Sequence, residues 1–229
     1  MNPPPPSRAI KAALIGEGPT EAHLIPVLER LALAQGAREI SIEWTGPLFE
    51  RLEPGHDVSS KLSALLEREH FDLIFVHRDT DQAGYEEREQ EIEAARVESK
   101  CPSLVVAVIP KRETEAWALV DVAAIYAVVG ARGHCGDLKV PRPAALEDCR
   151  DPKATLREAL RSARHLSQPR GRRGRRHTTL SHRDFSDYRR QLLERIDING
   201  DIGTLRSWQQ LATKLGEAVH LAARPETPN

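Results

Sequence analysis

The 229-residue sequence predicts an α/β protein: a parallel four-stranded sheet flanked by helices, with a mostly helical C-terminal extension. Three observations predict it. Short apolar runs of strand length recur along residues 8–130. They alternate with stretches in which Leu and Val return at helical spacing, and parallel strands are joined through such right-handed helical crossovers. Beyond Gly130 the strand signal fades and helical patterns remain.

Taken in order, residues 10–15 (IKAALI) form the first apolar run, ending at Gly16-Glu17-Gly18, and a helical pattern over 20–35 follows. Pro26 falls inside that pattern and is expected to kink or shorten the helix, because it lacks a backbone donor. Residues 39–44 (EISIEW) alternate as a strand, and 58–69 place Val58, Leu62, Leu65 and Leu66 on one helical stripe. Residues 72–76 (DLIFV) read as a strand buried on both faces. It ends at His77-Arg78-Asp79-Thr80-Asp81, before a highly charged helix over about 83–100. Residues 103–109 (SLVVAVI) make the fourth strand, which runs through Pro110-Lys111-Arg112 into a helix carrying Glu113, Glu115 and Trp117.

The organisation expected is a disordered proline-rich leader (1–7), an α/β domain (8–130) and a helical, partly basic accessory region (131–229). In the last, a Gly/Pro-containing stretch runs to about Pro143 and a helix opens near Asp151-Pro152. The tract RGRRGRRH at 170–177, expected to be mobile, and two further helices follow.

Composition narrows the function classes. Hydrophobic residues at 40% and charged residues at 29% are the balance of a folding, water-soluble chain. No apolar run approaches the roughly 18–20 residues that cross a bilayer, and the opening residues lack the regions of a signal peptide, so no membrane partner and a cytoplasmic location are expected. Cys101, Cys135 and Cys149 are odd in number and lack the spacing of a zinc knuckle or redox pair, which predicts free thiols. The net charge of −1 is unevenly spread. Residues 150–195 hold fourteen Lys and Arg against five Asp and Glu, a surplus of nine positive charges that leaves the remainder at −10. Such polarity suits an anionic polymer on one part and metal-binding carboxylates on another.

Ligands of open parallel sheets sit at the carboxyl ends of the strands. Glu17, Asp79, Asp81, Lys111 and Arg112 all fall at such ends and are expected to converge on one edge. Magnesium takes hard oxygen ligands and keeps several waters, so a few carboxylates at strand ends can hold it. Asp79 and Asp81, two apart where the chain leaves the strand, are the candidate ligands of Mg²⁺ or Mn²⁺. Glu17 completes the site or acts as general acid or base. Taken alone, a DxD pair is more often a solvated turn or helix cap than a metal site.

Other residues carry paired readings. Glu21, four after Glu17, is a second metal ligand or an acidic residue stabilising the first helical turn. Glu115 is a metal or water-positioning residue, or part of an exposed helix start. Lys111 and Arg112 bind and stabilise a phosphate or are surface charges at a strand exit. At Asp151-Pro152-Lys153 a cap and first helical residue explain the first two positions, leaving Lys153 to reach a phosphate. Arg170, Arg172, Arg173, Arg175 and Arg176 contact nucleic-acid phosphates or form a solvated loop. Few aromatics interleave with those arginines, so base stacking by that tract is not indicated.

The order strand, Glu17-Gly18, helix, strand, Asp79-x-Asp81-x-x-Gly84, helix resembles the TOPRIM domain of topoisomerases, bacterial primases, recombination-mediator proteins and OLD-family nucleases, over roughly residues 8–125. Three stretches are similar to small bacterial TOPRIM-like proteins, several types of which look associated with defence against phages. These are Glu17-Gly18-Pro19-Thr20-Glu21, Arg112-Glu113-Thr114-Glu115-Ala116-Trp117 and Asp151-Pro152-Lys153. The resemblance implies a magnesium-binding catalytic edge with Glu17 as general acid/base or ligand and Asp79 and Asp81 as ligands. The chain lacks room for a topoisomerase's tyrosine-bearing domain or a primase's nucleotide-handling domains. The function expected is therefore a Mg²⁺-dependent nuclease acting on DNA or RNA, with nucleic acid as partner. The alternative is a noncatalytic subunit or nucleic-acid-binding partner in a defence complex containing an ATPase.

Overall fold

The computed structural model describes residues 9–80, 83–131, 138–166 and 180–222. The chain divides into two compact units: residues up to Ile109 together with those from Gln209 onward, and Pro110–Trp208.

The first unit is built on four strands, β1 (Ile10–Ile15), β2 (Ile40–Trp44), β3 (Leu73–His77) and β4 (Leu104–Val108), all parallel and ordered β2-β1-β3-β4. The sheet expected from the apolar runs is the sheet found, each boundary within a residue of its expected place. Successive side chains alternate between faces, and both faces are covered, as an all-parallel sheet requires. Ala13, Ile15, Ile74, Val76 and Ala107 pack on one face against Val58, Leu62 and Leu65 of α3 (Val58–Leu66) and Ile92 and Ala95 of α4 (Tyr85–Glu98). Ala12, Leu14, Leu73, Phe75, Val106 and Val108, of the opposite parity, are equally buried.

The connection after β1 passes through a 3₁₀ turn (Pro19–Leu24) into α1 (Ile25–Ala34). Pro26 thus lies in the first turn of α1, where a missing N–H costs nothing. It starts the helix, so the expected helical pattern is shortened at Pro26 and not kinked. The short helix α2 (Gly46–Leu52) was not foreseen; its pattern GPLFERL opens on Gly-Pro, which reads as a turn. The last helix, α9 (Arg206–Ala222), spans the boundary between the units, and its Lys214 forms an ion pair with Glu89 of α4.

The second unit is helical. It comprises α5 (Glu115–Ala118), α6 (Val122–Val128), α7 (Pro152–Leu166) and α8 (His182–Arg195), with 3₁₀ turns at Pro143–Asp148 and Asp201–Thr204. On α7, Leu156, Ala159, Leu160 and Ala163 recur at helical spacing and are all buried. Asp151 caps that helix as expected, its carboxylate accepting from Ala154 N–H at 2.7 Å. Trp117 is fully buried, donates from Nε1 to Ser207 Oγ at 3.0 Å and meets Trp208 edge to face. Among the described residues, no helix is long and apolar enough to cross a membrane. Cys101 and Cys149 are free thiols, as expected, and Cys135 lies outside the described residues.

Candidate functional site

The strand order fixes where a ligand belongs. From β1 the chain moves outward to β2, then returns past β1 to β3 and β4. The order therefore reverses between β1 and β3, and the crevice beyond the carboxyl ends of those two strands is the topological switch point at which open α/β sheets bind ligands. Register pairs Ile15 with Val76. Two residues farther on, Glu17 and Arg78 stand across from each other, and Asp79 follows.

Glu17 is half-exposed, and its carboxylate lies 2.5 Å from Arg78 Nη1. Arg78 has a second partner, Glu91 on α4, at 3.1 Å. Glu91 also accepts from Arg88 Nη1 at 2.8 Å, while Arg88 Nε donates to the Asp79 carbonyl at 3.1 Å. Charges of alternating sign thus run from the end of β1 to the exit of β3 and hold the backbone at Asp79. The Asp79 carboxylate, about a quarter exposed, lies 3.5 Å from Nε2 of buried His77.

Glu21 turns back into the loop after β1. Its Oε2 accepts from Gly18 N–H at 2.8 Å and its Oε1 from Thr20 Oγ1 at 3.3 Å. It braces the turn that presents Glu17. A Cβ on Gly16 would lie 2.9 Å from the Glu21 Cβ and 3.1 Å from Trp44 Cη2, so only glycine fits there. Lys61 of α3 donates to the Gly16 carbonyl at 2.9 Å. Burial pushes its ammonium below the usual lysine range, against the pull of Glu17. Sequence reasoning passed over Lys61 as a polar position on an apolar stripe, and no motif marks it.

Lys111, Arg112, Glu113, Glu115 and Lys153 belong to the second unit. Lys111 pairs with Asp148 at 3.0 Å. Arg112 has a left-handed backbone (φ 65°) within a three-residue turn closed by Glu113 N–H to the Lys111 carbonyl. Glu113 accepts from Lys153 N–H at 3.2 Å. Glu115 is buried and paired with buried Arg189 at 3.2 Å, not part of an exposed helix start. Asp81 and the arginines Arg170, Arg172, Arg173, Arg175 and Arg176 lie outside the described residues.

No family model, curated protein or solved structure matches the chain. The reading of the site rests on its own chemistry.

Among the described residues, no three His, Cys, Asp or Glu side chains form a metal-binding group. The donor set at the switch point still suits magnesium, which commonly takes one or two carboxylates and completes its octahedron with water. Glu17 and Asp79 are hard oxygen donors leaving adjacent strands, and Glu17 is held by Arg78, which also pairs with Glu91.

Proposed function

We propose that this chain is a TOPRIM-like, Mg²⁺- or Mn²⁺-dependent nuclease that hydrolyses phosphodiester bonds at the β1–β3 switch point, working in the cytoplasm and in defence against phages. One observation carries the reading: Glu17 and Asp79 leave adjacent parallel strands on either side of the crevice where the strand order reverses. Glu17 and Asp79, with Asp81 two residues after Asp79 in the sequence, would hold the ion. When bound, it would supply charge stabilisation at the phosphoryl group and an acidified water. Glu17, the more exposed carboxylate, would alternatively act as general acid or base. Arg78 and Lys61 supply positive charge beside it, which favours a phosphate in the same crevice.

The test is cleavage of labelled single-stranded DNA, duplex DNA and RNA by the full chain in Mg²⁺ or Mn²⁺, with Mn²⁺ binding followed by calorimetry. Cleavage that disappears in Asp79→Ala supports the reading. Intact substrates across the panel, with no heat of metal binding, sink it.

The Glu17–Arg78 pair favours a second reading, since it leaves the edge neutralised by the chain's own charges. In that case the edge docks a partner within a complex containing an ATPase. Asp79→Ala would then leave phage protection in cells unchanged, and the ATPase would co-purify with the chain.

A further inference from the structure

We infer that the cleft beside Glu17 holds one unpaired nucleobase, so that the substrate of the switch-point site is single-stranded nucleic acid. The inference rests on the nuclease reading for the position of the phosphate and adds to it the strandedness of the substrate.

The cleft has a volume of about 550 Å³ and lies within the first unit, between the loop after β1, the end of β2, α2 and the start of α3. That is the size of a small-molecule site. Glu17 and Lys61 lie on its lining, together with Trp44, Phe49, Glu50 and Glu53. The site thus combines flat apolar surface, one cation and several acceptors.

Trp44 supplies the flat surface in a fixed orientation. A Cβ on Gly46 would lie 2.3 Å from its Nε1 and one on Gly16 would lie 3.1 Å from its Cη2. The indole is therefore seated over two positions where only glycine leaves room. The chain's other two tryptophans, Trp117 and Trp208, are buried in the second unit, whereas Trp44 is half-buried and lines an open cleft. A ring already held in place loses little entropy when another ring stacks on it. Phe49 is the second aromatic of the cleft, and Lys61 Nζ stands 6.0 Å from its ring centre.

The polar groups sort by position. Lys61 is anchored on the Gly16 carbonyl by one hydrogen bond, beside Glu17 and the crevice, where a backbone phosphate would meet the ammonium's remaining donors. Glu50 and Glu53 line the α2 side, and Glu53 is held there in a left-handed conformation (φ 45°) at the end of α2. Carboxylates accept from the amino groups of base edges. Apolar ligands would leave Lys61 and the carboxylates unmatched, and a purely anionic ligand would meet Glu50 and Glu53. A nucleotide has the required sequence of properties: anionic phosphate, π-face, and an edge that donates. A base inside a duplex presents neither face, so the occupant is an unpaired base.

The experiment uses the full chain in Ca²⁺, to oppose turnover, with a fluorescein-labelled 12-mer, single-stranded or annealed to its complement. It reads anisotropy and tryptophan emission. The expected result is single-strand binding about tenfold tighter than duplex binding, with quenching of tryptophan emission by the single strand alone. In Trp44→Leu the quenching is lost and single-strand affinity falls about tenfold, with duplex affinity unchanged. In Lys61→Gln single-strand affinity falls while the quenching at saturation persists, and that variant together with the wild-type quenching decides the matter if Trp44→Leu does not fold. Equal affinity for both forms, no quenching, or a Trp44→Leu protein that binds like the wild type overturns the inference. Single-strand binding of this kind with no cleavage in Mg²⁺ or Mn²⁺ retires the nuclease reading alone. Cleavage of both forms, unaltered by Trp44→Leu, retires the base subsite alone.

Discussion

Arg78 faces Glu17 across the ends of two adjacent strands, its Nη1 2.5 Å from the carboxylate, while also holding Glu91 at 3.1 Å. A cation arriving at Glu17 must therefore displace a guanidinium that has another partner to fall back on. Arg78→Gln removes the competitor and leaves Glu91 with Arg88. Calorimetry is expected to show Mn²⁺ binding several-fold more tightly to the variant. The stability cost should be about 1–3 kcal/mol, because Arg78 is largely buried and pairs with Glu91 as well as with half-exposed Glu17. Unchanged or weaker Mn²⁺ binding would show that Arg78 does not compete for the carboxylate.

Glu115 and Arg189 are a different kind of pair, with only 7% of each side chain exposed. Glu115→Ala removes one half of a buried ion pair, and urea unfolding should register a loss of about 3–5 kcal/mol. The double variant Glu115→Leu/Arg189→Met removes both charges and should recover most of that loss. If Glu115→Ala unfolds at the same urea concentration as the wild type, the pair does not stabilise the second unit.

The sheet was legible in the sequence because β1, β3 and β4 are largely apolar runs and β2 alternates, each bounded by charged or turn residues, as β3 is between Asp72 and Arg78. The loop after β1 was legible for the same reason. What escaped depends on who stands opposite whom. Nothing local marks Arg78 as the partner of Glu17, since the pairing is created by the register of Ile15 with Val76. Glu115 looked like an exposed helix start because α5 is one turn long and is covered by α7 and α8, and its partner Arg189 comes seventy-odd residues later. Trp44 could have been noticed: a large aromatic at a strand end, followed closely by Gly46-Pro47, signals a ring laid over backbone. Lys61, a polar residue between Val58 and Leu62, had no such signal.

The two glycines around Glu17 should respond differently to substitution. A methyl group at Gly16 meets Glu21 and the Trp44 ring at 2.9–3.1 Å, whereas at Gly18 the nearest atom is Glu21 Oε2 at an ordinary 3.4 Å and the backbone is extended. Gly16→Ala is expected to cost about 1–3 kcal/mol by forcing the loop apart, and to shift the emission of Trp44. Gly18→Ala should stay within about 0.5 kcal/mol of the wild type. Equal losses in thermal unfolding would contradict the crowding assigned to Gly16.

Glu113 gives the second unit a pH dependence whose sign can be worked out. Burial first, and then the neighbouring charge of Glu115, raise its pKa above the ordinary 4.5, against the pull of the Lys153 N–H. Between the unfolded value and the raised folded value the native chain holds more protons than the unfolded one, so stability falls as pH rises through that window. Ionised Glu113 therefore costs stability at neutral pH and costs none once the solution is more acidic than the unfolded pKa. Glu113→Gln keeps an acceptor for Lys153 N–H and removes the charge. Urea midpoints taken between about pH 4 and pH 7 should show the variant more stable than the wild type at the upper end, with the gap closing at the lower end. A constant offset across the range would mean that the substitution acts through packing and that Glu113 does not titrate with folding.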